Sequence, residues 1–187
     1  MLEICPLKTR QLLLRDITET QLNQLINQAD LFDYTWILLL AQSGLRTCEI
    51  RNLRWQDVDL QRYTVQINES KGLRSRVVFL SQSTRNALKR LLRIAEYVFT
   101  FNNQPVSSRY CQSRLKTLGK KCGIHVTPHQ LRRTCATMLL NAGMSIFGVQ
   151  AVPGHKYVDI TLRYARVHDS VIAKDYKHAL KIKESAE

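Results

Sequence analysis

Acidic residues are missing from a long part of this chain. From Tyr97 to Val158 there is no Asp or Glu, while Arg109, Arg114, Lys116, Lys120, Lys121, Arg132, Arg133 and Lys156 all fall there. Charge of a single sign argues against an evenly solvated surface and for a groove that tracks a polyanion. Long apolar runs are also missing: the longest, Trp36 to Ala41, is far too short to span a bilayer, and no signal-peptide pattern opens the chain. The five cysteines, Cys5, Cys48, Cys111, Cys122 and Cys135, form no Cys-x-x-Cys pair. That excludes a disulfide framework and a zinc site and reads as reduced thiols in a soluble, cytoplasmic protein. No Gly-x-Ser-x-Gly elbow, phosphate-binding P-loop, internal repeat or low-complexity segment occurs.

What the chain has is basic charge and enough apolar residues for one core. Its 187 residues are 44% hydrophobic and carry 28 Lys+Arg against 15 Asp+Glu, a formal net charge of +13. This balance points to nucleic acid as partner. Acidic membrane surfaces fit less well, because no basic interfacial helix and no lipidation motif is present.

Periodicity predicts a mainly α fold with a small antiparallel β-sheet, of the α+β class. Residues 1–15 show no clean period and read as a lead-in arm or linker; residues 16–187 read as one domain. A helix is expected from the Thr18 cap with Gln21 at the capping-box position, and a buried one over Tyr34 to Ser43, stopped by Gly44. Arg46 then opens a short helix. Alternation at Tyr63, Val65 and Ile67 and a β-rich run from Arg76 to Leu80 predict a hairpin with Lys71 at its tip. Further helices are expected over Ser83 to Tyr97, Arg109 to Lys121, Thr127 to Gly143, Ser145 to Val152, Asp159 to Ala165 and Val171 to Lys183. Thr127-Pro128 is a strong start signal, with Thr as cap and Pro in the first turn.

Three motifs carry chemistry: Gly44-Leu45-Arg46-Thr47-Cys48-Glu49, His129-x-x-Arg132-Arg133-Thr134, and Gly154-His155 followed by Tyr164. In this order, with Lys71 between the first two, they resemble the catalytic domain of the tyrosine recombinases, the integrase-type site-specific recombinases of phages and mobile elements. The resemblance runs from about Arg15 to about Arg166. Cleaving a phosphodiester without metal needs charge neutralisation on the non-bridging oxygens, a nucleophile, a base and an acid for the leaving oxygen. Arg46 and Arg132 suit the first task, since a planar, always protonated fork bonds two phosphate oxygens at once. Tyr164 is the candidate nucleophile, Lys71 the candidate acid, and His129 and His155 can hold a proton or bond the phosphate. Glu49, three residues after Arg46, can pair with it and hold it in place.

The resemblance implies a 3′-phosphotyrosine intermediate that frees a 5′ hydroxyl, with no ATP, divalent metal or other cofactor. It implies double-stranded DNA as substrate and a homo-tetramer on paired duplexes. Arg74, Arg109, Arg114, Lys116, Lys120, Lys121, Arg133 and Lys156 are expected along the DNA backbone. Two features depart from the family pattern: Pro153 stands where members usually have Leu, before Gly154-His155, and the chain begins near the place where an N-terminal core-binding domain would end. Rival readings are a type IB topoisomerase, a catalytically inactive DNA-binding remnant of an integrase, and a generic basic interaction domain.

Overall fold

The computed structural model describes residues 17–68, 75–145 and 148–149. In chain order the described elements are α1 (Glu19–Gln28), α2 (Leu31–Ala41), α3 (Thr47–Arg51), β1 (Val58–Asp59), β2 (Thr64–Ile67), β3 (Arg76–Phe79), α4 (Gln82–Arg90), β4 (Thr100–Phe101), β5 (Gln104–Pro105), α5 (Ser108–Lys121) and α6 (Pro128–Asn141), with a 3-10 turn at Trp55–Asp57. This is the mainly helical α+β architecture that the periodicity predicts. No helix among the described residues is long and apolar enough to cross a membrane.

Helix α1 starts as its sequence says. The Thr18 hydroxyl accepts the Gln21 N–H at 3.2 Å, and the Gln21 side chain accepts the Thr18 N–H at 3.1 Å. Two donors left open by the first turn are thus satisfied. Helix α2 starts at Leu31, three residues before the expected Tyr34, because Asp30 caps it, accepting the Asp33 N–H at 2.8 Å. Trp36 through Ala41 are all buried, and α2 packs against α4 and α6 as the centre of the core. A helix enclosed by neighbours needs an apolar surface all round, which explains why this one lacks an amphipathic stripe.

Strands β1, β2 and β3 form one antiparallel sheet in that order, with Val65 opposite Val78 and Ile67 opposite Arg76. Val65 and Val78 face the core, while Val77 and Phe79 are exposed. The residues joining β2 to β3 include Lys71 and Arg74 and lie outside the described residues.

One expected helix is shorter than its period. The Ser83 to Tyr97 pattern gives a helix only to Arg90, after which Leu91 turns extended at φ −70°, ψ 139°. Backbone groups farther along pair across the molecule instead: Trp55 N–H donates to the Glu96 carbonyl at 3.0 Å, and Val98 N–H to the Leu53 carbonyl at 2.9 Å. Leu92, which helical spacing assigns to the buried stripe, is 78% exposed. Long-range backbone pairing has overridden a local apolar period. The β4–β5 hairpin is a further addition, turned by Asn102 and Asn103, both at positive φ as a tight two-residue turn demands.

Helix α5 ends before Gly123 at φ +67°, and α6 runs from the Thr127 cap to just before Gly143 at φ +87°, both as predicted. The cysteines Cys48, Cys111, Cys122 and Cys135 are free thiols. Burial pushes Cys111 and Cys135 up to about 12, so these two are inert packing groups. The predicted arm over residues 1–15 and the predicted helices from Asp159 to Ala165 and Val171 to Lys183 lie outside the described residues, as does most of Ser145 to Val152.

Candidate active site

Arg46 is placed by the way α2 ends. Gly44 takes φ +63°, and the chain reverses so that Leu45 N–H returns to the Leu39 carbonyl at 3.1 Å with the Leu45 side chain wholly buried. Arg46 follows directly as the N-cap of α3, its backbone extended at φ −78°, ψ 151°. An arginine side chain has no acceptor, so it cannot cap its helix in the usual sense. Glu49 supplies the converse bond, accepting the Arg46 N–H on Oε2 at 2.7 Å and the Arg46 guanidinium on Oε1 at 2.8 Å. One carboxylate thereby fixes both backbone and side chain of Arg46.

Glu49 does more than that. Its Oε2 also accepts Nη2 of Arg76, from β3, at 2.8 Å, and its side chain is only 8% exposed. Arg132, in the second turn of α6, donates from Nη1 to the Gly44 carbonyl at 2.6 Å and is 6% exposed. The turn that carries Arg46 is therefore tied to α6 as well as to the sheet. Burial lowers the Arg132 pKa to about 10; the neighbouring Arg46 and Arg76 add to that effect and Glu49 opposes it. Arg132 still carries its charge at neutral pH. Three guanidiniums are thereby gathered around one carboxylate in a partly water-excluded place, an arrangement that suits binding an anion.

The predicted residues divide among several places. Arg46, Glu49 and Arg132 come together, joined by Arg76, which the sequence reading used only as part of a strand pattern. The signal for it was available: Arg76 and Val78 alternate with exposed Val77 and Phe79, and an arginine on the inward face of a strand needs a partner. His129 lies one turn before Arg132 on α6 and is exposed; Arg133 is half-buried. Arg109, Lys116 and Lys120 are exposed along one side of α5, whose start is tied to α3 by Arg51 Nη1 donating to Ser108 Oγ at 3.2 Å. Lys121 turns off this stripe and lines a small cleft with Gln28, Asp30 and Thr117. Lys71, Arg74, His155, Lys156 and Tyr164 lie outside the described residues.

Arg114 is on α5 but faces inward, and its charge is spent within the fold. Its Nε donates to Asp33 Oδ1 at 2.7 Å and its Nη2 to Asp33 Oδ2 at 3.1 Å; a further bond reaches Asp30. The guanidinium lies over Phe32, 5.0 Å from the ring centroid. Hydrogen bonding to Asp33 is the largest cause raising its pKa. Arg114 fastens α5 to the start of α2 and is paired with carboxylates there, unlike the exposed cations of α5 that are also expected along the DNA.

Tyrosine recombinase XerA of Thermococcus kodakarensis is 35% identical over 139 residues, covering 70% of this chain and 49% of the relative. A crystal structure of XerA recombinase superposes with a TM-score of 0.75 at 31% identity, covering 88% of this chain and 64% of that one. The fold is shared too with XerH site-specific recombinase bound to difH substrate, at a TM-score of 0.70 and 17% identity, over 83% of this chain and 51% of that one. The chain thus spans about half the length of the relatives it matches. Residues 15–170 match the model of the phage integrase family, a span that takes in the arginine cluster and all three sequence motifs, and the chain belongs to that family.

Proposed function

We propose that this chain is the DNA-cleaving and religating part of a site-specific recombinase. The observation that carries the reading is the cluster of Arg46, Arg76 and Arg132 around Glu49. The Arg46 and Arg132 guanidiniums brought together there suit the charge that develops when a phenolate attacks a phosphodiester, since the pentacoordinate species carries two negative charges. Arg46 and Arg132 bond the non-bridging oxygens. Tyr164 attacks phosphorus, the bond to the 5′ oxygen breaks, and Lys71 protonates that oxygen as it leaves, while His129 and His155 handle the tyrosine proton and a phosphate oxygen. The 3′-phosphotyrosine keeps the energy of the broken bond, and the reverse attack by a 5′ hydroxyl reseals the strand without ATP or metal. Double-stranded DNA is the substrate, held additionally by the exposed cations of α5, and the exchange of strands between two duplexes calls for four copies of the chain.

Covalent trapping tests this. The protein and its Tyr164→Phe variant are incubated with a pool of labelled, nicked duplexes, and label that survives denaturation is followed. An adduct in the wild type alone is expected. Retained DNA binding with no adduct would identify an inactive remnant instead, and relaxation of supercoiled plasmid without site preference would identify a topoisomerase.

A further inference from the structure

Arg76 stands outside the residues to which the proposed reaction gives a role, yet it is built into the cluster. Its side chain is 15% exposed and its Nη2 meets the same Glu49 oxygen that accepts the Arg46 backbone N–H. Glu49 is 8% exposed, so water does little to screen either contact. A carboxylate with two oxygens and one flexible stem can rotate away from Arg46 by turning its plane. With Arg76 bonded to one oxygen, that plane is fixed and the other oxygen stays on the Arg46 guanidinium at 2.8 Å. Arg76 also stands on β3, opposite Ile67 in the sheet, so it brings the sheet into register with α3 through one carboxylate.

We infer that Arg76 is a positioning residue of the phosphate clamp: through Glu49 it fixes the orientation of the Arg46 guanidinium. This rests on the recombinase reading for its consequence in cleavage, though the fixing of Arg46 does not. Arg76 is separate from the general acid in this scheme. Its loss disturbs the charge at the non-bridging oxygens and leaves protonation of the 5′ oxygen intact.

Two measurements on the full chain decide it, using wild type, Arg76→Gln and Arg76→Lys. The first follows hydrogen exchange of the Arg46 guanidinium by nitrogen-resolved NMR, without DNA. Exchange at least about three-fold faster in Arg76→Gln is expected, with Arg76→Lys between it and wild type, because a rotating Glu49 releases the Arg46 protons to water. Unchanged exchange in a folded Arg76→Gln protein would overturn the inference. The second measures single-turnover cleavage of a nicked duplex found by trapping, with three scissile groups: phosphate, methylphosphonate (one non-bridging charge removed) and a bridging sulfur as leaving atom. Arg76→Gln should cleave the phosphate substrate on the order of ten-fold more slowly than wild type, at similar DNA affinity. The defect should shrink on methylphosphonate and persist on the sulfur substrate. Rescue by sulfur alone would make Arg76 a support of the Lys71 hairpin and refute the scheme. If wild type forms no adduct on any duplex, the recombinase reading fails by itself, and the exchange measurement alone decides whether Arg76 fixes Arg46.

Discussion

Arg114 and Arg46 carry the same charge and are put to different uses by their neighbours. Two aspartates surround Arg114, so its charge is neutralised inside the fold. Arg46 and Arg76 share the single carboxylate of Glu49, with Arg132 close by. The pairing of Arg46 with Glu49 is legible in sequence because it spans one helical turn, while the Arg76 and Arg114 contacts join residues 27 and 81 positions apart. Arg114→Ala should lower unfolding free energy by about 1–3 kcal/mol, since it strands the largely buried Asp33 carboxylate. Denaturant melts would show this, with the salt dependence of DNA binding altered less than in Arg109→Ala. A variant that melts normally yet binds DNA poorly would place Arg114 among the DNA contacts.

Helix α1 begins, α5 ends, and α6 both begins and ends where capping and glycine signals place them, because those signals act through nearby backbone groups. The segment after Arg90 departs from its period because its backbone finds partners near Leu53 and Trp55. Gly119 tests a contact between elements that no periodicity reports. An added Cβ there would sit 2.5 Å from the Ile124 carbonyl oxygen and 2.8 Å from Val126 Cγ1, in the chain that returns from α5 toward α6. Alanine is the better helix former by about 1 kcal/mol, but overpacking against a fixed backbone carbonyl outweighs this. Gly119→Ala should therefore destabilise the domain by about 1–3 kcal/mol in a thermal melt. A higher melting temperature would mean the return segment yields easily.

Across the protein, basic charge is sorted into a partly buried cluster, an exposed stripe on α5 and pairs consumed by folding. Arg109, Lys116 and Lys120 recur at helical spacing over about 16 Å of α5 and make no ion pair among the described residues. Such a stripe suits successive phosphates and carries no base specificity. Replacing all three with Gln should weaken binding to duplexes of any sequence and reduce the slope of log affinity against log salt by about two to three, each lost phosphate contact removing about 0.9. Titrations at several salt concentrations would measure it, and an unchanged slope would place the DNA on another face.

Element types, the glycine turn before Arg46, the inventory of groups for phosphodiester chemistry and the family resemblance all follow from local patterns along the chain. They are legible because caps, periods and short motifs act over a few residues. Which distant acceptors the arginines meet was decided by tertiary packing alone. The carboxylates that neutralise Arg114, the sharing of Glu49 with Arg76 and the bond from Arg132 to Gly44 join segments 27 to 88 residues apart, and only the packed core brings those segments together.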